Sequence, residues 1–146
     1  MNKLWIVLIA GSVFVTNCGK NATPSFEPES YSGELTVSRV ELVYTRTDTV
    51  TLVVDGSSYQ LFHLTRASKL CNSHGTQSGF GTNSLRLTPV SNGATSCDNL
   101  RVPAGIFSAV FSGESLTLGP TRIHFTVDVN GQSVEESWDY TFKLHK

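Results

Sequence analysis

The sequence predicts an all-β fold: a single antiparallel domain of about eight strands, closed as a small barrel or stacked as a two-layer sandwich. Three observations carry this. Past the first twenty residues no segment sustains a helical 3.6-residue period. Thr, Ser, Val and Gly dominate, as pleated strands and tight turns require. Turn dipeptides punctuate short alternating runs, most clearly Asn130-Gly131.

The predicted strands are Glu34–Thr45, Thr49–Asp55, Ser58–Leu64, Asn83–Thr88, Gly105–Ser112, Glu114–Leu118, Arg122–Val129 and Gln132–Leu144. Asp55-Gly56 and Asn130-Gly131 read as type I′ turns, where both residues need positive φ. Gly113-Glu114 reads as type II′, with glycine first. In the last hairpin Ile123, Phe125, Val127 and Val129 alternate with polar residues. Val134, Trp138, Tyr140, Phe142 and Leu144 follow at even positions. A turn at 130–131 sets Val127 opposite Val134, Ile123 opposite Trp138, and Arg122 opposite Asp139 on the wet face. Barrel closure is favoured because it leaves no exposed edge.

The segment 71–97 is rich in Gly, Ser, Asn and Thr and reads as a long irregular loop. It holds Phe80 between Gly79 and Gly81. Phe80 is either a contact residue on a glycine-flanked tip or a plug tucked into the end of the core. The chain has three cysteines, Cys18, Cys71 and Cys97. In an exported chain an odd cysteine needs its own role. If Cys18 is used otherwise, Cys71 and Cys97 form a pair. Their bridge would close the loop and contribute roughly 3.5 kcal/mol through loop entropy.

The N-terminus gives the address. Lys3 precedes an apolar run, Leu4–Val15, which as a helix would span about 18 Å. That is short of the ~30 Å bilayer core, so a signal peptide over residues 1–17 is expected rather than a spanning anchor. Val15-Thr16-Asn17-Cys18 resembles the lipobox of bacterial lipoproteins, with Asn17 standing where that family usually has Gly, Ala or Ser. The resemblance implies cleavage before Cys18, a diacylglycerol on its sulfur, and membrane attachment through acyl chains. Gly19 rather than Asp after the cysteine implies, by likeness to enterobacterial lipoproteins, sorting to the outer membrane. The alternative is a plainly cleaved signal and a soluble periplasmic or secreted product. Residues 18–33, polar and holding Pro24 and Pro28, read as a tether; a packed arm using Phe26 and Tyr31 is the alternative. The domain proper is expected over 34–146.

The formal net charge is −1, without runs of like charge, so nucleic-acid binding is not expected. Cys71-x-x-His74 could begin a metal site, but zinc needs four ligands and no second pair follows, so neither metal nor cofactor is expected. No Gly-x-Ser-x-Gly occurs. Asp48 could face His63 across the first hairpin, yet no serine is fixed beside them, so no catalytic residues are assigned and an enzyme is not expected.

Glu136 is the odd residue: it falls on the apolar face, opposite Phe125. A buried carboxylate there would have a raised pKa and could mark a ligand cavity. A β-bulge, or a position at the open end of a barrel, would also place it. Phe80, His74 and Glu136 are the candidate binding residues. The expected function is a non-catalytic binding module meeting an envelope protein or glycan, a layout similar to that of small lipoproteins that inhibit lysozyme. The alternative is a carrier of small apolar ligands or lipid, with a cavity lined by Phe107, Phe111, Phe125, Trp138 and Phe142. For those aromatics plain core is the competing reading.

Overall fold

A computed structural model describes residues 27–90, 97–98 and 101–146. Residues 1–17, Cys18 and the first part of the expected tether lie outside the described residues, as do 91–96 within the Cys71–Cys97 segment. Eight antiparallel strands follow one another around a closed barrel. They are β1 (Glu29–Arg39), β2 (Tyr44–Asp55), β3 (Ser58–His63), β4 (Ser73–Ser78), β5 (Ser84–Pro89), β6 (Gly105–Ser112), β7 (Ser115–Val129) and β8 (Gln132–His145). Each pairs with the next, and β8 closes on β1 with Phe142 opposite Leu35. Of the two expected architectures, the barrel is the one formed.

The last hairpin has the predicted register: Val127 faces Val134, Ile123 faces Trp138, and Arg122 faces Asp139. Asn130 and Gly131 both have positive φ, 57° and 80°, as type I′ requires. At Gly113 only the glycine is positive, as in type II′.

Five expectations are corrected. The strand expected over Glu34–Thr45 turns back at 40–43, so that Tyr44 and Thr45 begin β2 and pair with Arg39 and Ser38. Asp55 pairs with Ser58, so the β2–β3 turn is Gly56-Ser57, with positive φ at Gly56 alone. The two strands expected at Glu114–Leu118 and Arg122–Val129 are one strand, β7. Its partner in β8 shifts by one residue between Leu118 and Thr121, where a bulge at Gly119-Pro120 takes up the slack. The segment 71–97 is not an irregular loop: it contains the whole β4–β5 hairpin, including β4, which is not among the predicted strands. Finally, Glu29–Gly33 are strand rather than tether, and Tyr31 is buried. Outward Ser30 and Ser32 give that stretch its polar look.

The barrel axis is filled. Leu35, Val37, Val50, Leu52, Leu61 and Leu87 are buried from several strands, and Phe107 meets Phe142 edge-on, with ring centroids 5.7 Å apart. Full burial of each Leu or Phe contributes about 1.5–3 kcal/mol. The two ends differ. At the turn end lie the short connections 56–57, 79–83 and 113–114, together with the start of β1. At the loop end lie 40–43, 64–72, 90–104 and the tip of the long β7–β8 hairpin. Inward-facing rows that are apolar toward the turn end finish at the loop end in Arg39, Asp48, His63 and Glu136, so the barrel has a polar mouth.

Candidate functional site

Alternation builds the mouth. On β1 the inward row Tyr31, Leu35 and Val37 continues to Arg39; on β8 the row Phe142, Tyr140 and Trp138 continues to Glu136. Glu136 is 5% exposed. Its carboxylate accepts from Arg101 Nε at 2.5 Å and Trp138 Nε1 at 3.1 Å, and Arg39 Nη1 lies 3.1 Å away. Burial pushes this carboxyl upward, but the Arg101 and Trp138 hydrogen bonds and the two guanidinium charges outweigh it and hold Glu136 below its ordinary value. The expectation of a raised pKa is therefore corrected: Glu136 does sit at the open end of a barrel, but two cations neutralise it.

Arg101 comes from the β5–β6 connection and is fixed twice more. Its Nη1 meets Asp98 Oδ2 at 2.6 Å, and its carbonyl accepts from the buried Tyr140 hydroxyl at 2.6 Å. Arg39 also faces Glu41 at 3.5 Å. The Tyr44 ring meets Trp138 edge-on at 5.8 Å, and the Arg46 guanidinium lies 4.8 Å over Tyr44. Arg39, Tyr44, Lys69, Arg101, Glu136 and Trp138 line a cleft of about 370 Å³.

The Cys71–Cys97 disulfide stands at the edge of this cleft, with Cα atoms 5.0 Å apart. Beside it, Cys71 N donates to Asp98 O at 3.2 Å and Asp98 N to Lys69 O at 2.8 Å. Two long connections are thereby joined to each other at the mouth.

A second polar cluster lies next to the cleft. Asp48 is fully buried and accepts from His63 Nδ1 at 2.7 Å, from Ser68 N at 2.9 Å and from the Ser68 hydroxyl. Burial acts to raise the Asp48 carboxyl, but the Ser68 donors and His63 hold it below the usual carboxylate range. Burial lowers the His63 pKa against the pull of Asp48, and Arg66 adds to the lowering, so the imidazole is neutral at pH 7 with its proton on Nδ1. The Asp48–His63 pair expected across the hairpin is present, although Val50 and not Asp48 is directly opposite His63. Ser68 is the serine the sequence could not place. Its hydroxyl addresses Asp48, whereas a nucleophile would have to give its proton to the imidazole. His63 Nε2 is buried and has no hydrogen-bond partner among the described residues. The cluster ties β2 and β3 to the β3–β4 connection.

The other two candidate residues are elsewhere. His74 is exposed on the outer wall of β4, opposite Gln60. Phe80 is at the turn end, half-buried, its ring edge-on to Tyr31 at 6.0 Å and to Phe111 at 5.4 Å; it is the plug rather than the contact tip. His74, Phe80 and Glu136 are thus not brought together. Among the described residues no group of three or more His, Cys, Asp or Glu side chains is placed to hold a metal ion. Sequence reasoning missed Arg39 and Arg101. The alternation of β1 carries a signal for Arg39. Nothing local marks Arg101.

Comparison of the chain with protein-family models, with curated proteins and with solved structures finds no match. The arrangement itself can hold polar or anionic groups: aromatic faces and cation donors converge on a cleft whose walls are fixed by hydrogen bonds and a disulfide.

Proposed function

We propose that this chain is an exported, lipid-anchored envelope protein, sorted to the outer membrane. It acts as a non-catalytic binding module that meets an envelope protein or glycan through its mouth. The observation that carries the reading is the braced cleft of Arg39, Tyr44, Lys69, Arg101 and Trp138 around Glu136. Preorganised donors and aromatic faces lose little entropy on binding. Cys18 carries the anchor in this reading, because Cys71 and Cys97 are used in their bridge.

The packed interior favours a surface binder over an internal carrier. Phe107 and Phe142 fill the axis, Trp138 is buried, and Phe111 and Phe125 lean on the same core.

Two experiments test the reading. The full chain bearing Cys18→Ala should leave the membrane fraction and lose its acyl mass; unchanged membrane association would remove the anchor. Capture from envelope extract should yield a partner with the native chain that is lost with Tyr44→Ala/Lys69→Glu. Equal capture by both proteins would remove the mouth as the binding surface.

A further inference from the structure

We propose that the β1–β2 tip and the adjoining β3–β4 connection form a docking surface for an anionic phospholipid bilayer. The inference rests on the reading that the loop end is the binding end, and it names a second surface there, beside the cleft.

The large exposed apolar side chains are unevenly distributed. Leu42 and Val43 stand on the β1–β2 tip, Val43 fully exposed, and Leu64 opens the β3–β4 connection, also well exposed. No large apolar side chain is exposed on the three connections of the turn end, all of which are described. Folding gives no reason to expose these three at one rim, and exposed apolar groups gathered in one place mark contact surfaces.

The charges around them that form no ion pair among the described residues are of one sign. Arg46, Arg66 and Lys69 are exposed, and among the described residues no carboxylate forms an ion pair with any of them. Glu41, the acid on this tip, is engaged by Ser137 N at 2.7 Å and by Arg39. The exposed acids Asp128 and Glu135 lie on the β7–β8 hairpin and confine the cationic side to the β1–β4 connections.

The two segments form one rim. Leu64 N donates to Thr49 O at 2.8 Å, and Thr49 N to Thr65 Oγ1 at 2.9 Å, holding the β3–β4 connection against β2 just below the tip. Protruding apolar side chains separated by cations suit a soft, anionic partner. The apolar groups enter the headgroup boundary while Arg and Lys meet phosphate. The anchor does not keep the tip from the same bilayer: the 11 residues 18–28 can span up to about 40 Å, and β1, of 11 residues, is about 36 Å long.

The test uses the full chain with Cys18→Ala, so that no acyl chain contributes. It is co-sedimented with vesicles of equal parts phosphatidylglycerol and phosphatidylcholine, and with phosphatidylcholine alone. Binding is expected to the anionic vesicles only. Leu42→Asp/Val43→Asp and, separately, Arg66→Glu, which leaves the cleft residues untouched, should each weaken it about tenfold. These side chains are exposed, and circular dichroism checks that the fold survives. Absence of binding to anionic vesicles overturns the proposal, as does binding that neither variant changes. So does a native chain that self-associates through the tip, seen as a dimer lost in Leu42→Asp/Val43→Asp. If vesicle binding fails while mouth-dependent capture of a partner persists, the docking proposal falls and the binding-module reading stands. If capture fails while tip-dependent vesicle binding persists, the reverse holds.

Discussion

Replacing Glu136 by glutamine tests the account of the mouth most directly. The amide would keep the shape of the side chain and one acceptor oxygen, but it removes the charge between two guanidinium groups. A hydrogen bond to a charged group contributes about 1.5–3 kcal/mol, and breaking a buried pair from one side costs about 3–5 kcal/mol. Here the cost is moderated. Arg101 keeps Asp98 and Arg39 keeps Glu41, and their side chains are 19% and 24% exposed, so water screens part of the loss. Glu136→Gln should therefore destabilise the fold by about 2–3 kcal/mol at pH 7. The pH dependence follows from the lowered pKa of Glu136. A carboxyl whose folded pKa lies below its unfolded value near 4.5 contributes stability above that value and loses it as pH falls through the folded pKa. The gap between native and variant should be constant above the unfolded value and should close on acidification below it. Urea denaturation followed by circular dichroism at neutral and acidic pH measures both quantities. A cost under about 0.5 kcal/mol at pH 7 would refute the reasoning. So would a gap that stays the same at acidic pH.

Three further outcomes are expected. Cys71→Ala/Cys97→Ala, joining positions 26 apart in sequence, should lower the unfolding free energy by roughly 3–4 kcal/mol in urea titrations; native-like stability would show that the segment is held without the bridge. The His63 ring should titrate below its ordinary 6.5 in NMR, with Nδ1 protonated. The unfolded chain then binds that proton first, so stability should decline as pH falls below 6.5; a ring midpoint above 6.5 would reverse the assignment. Gly75→Ala should cost about 1–3 kcal/mol by thermal unfolding, since an added Cβ meets the Thr88 carbonyl and the Pro89 Cα; a neutral effect would mean that the β4–β5 spacing is looser than described.

The β7–β8 hairpin was legible because two independent signals agreed. Asn130-Gly131 fixed the turn, and alternation on both flanks fixed the face. On β2–β3 the face was legible and the register was not. Reading Asp55-Gly56 for Gly56-Ser57 moves the pairing by two residues, which leaves every side chain on its own side. That is why Asp48 and His63 still meet. Strand β4 gave no apolar signal, because its inward positions are Ser73, Gly75 and Gln77. It is held by main-chain pairing to β3 and β5, which composition does not reveal. The site divides the same way. Glu136 could be placed from its strand, whereas Arg101 and Ser68 arrive from connections with no period to extend.

Those connections matter for how the mouth behaves. Arg39, Asp48, His63 and Glu136 end the barrel wall in groups that cannot be buried alone. Their partners Ser68, Asp98 and Arg101 lie outside the strands, in the β3–β4 and β5–β6 connections. Wall and connections therefore stabilise each other, and the disulfide joins the two connections where they touch. This makes a specific demand on local stability. The amides of Ser68, Cys71, Asp98 and Arg101, donating at 2.9, 3.2, 2.8 and 3.2 Å, should exchange hydrogen slowly in the oxidised protein. Reduction should speed their exchange selectively while the amides of β8 between Tyr140 and Leu144 keep their protection. If the four amides exchange as fast as an open loop before reduction, the mouth is not preorganised. A binding role that depends on a rigid cleft would then lose its physical basis.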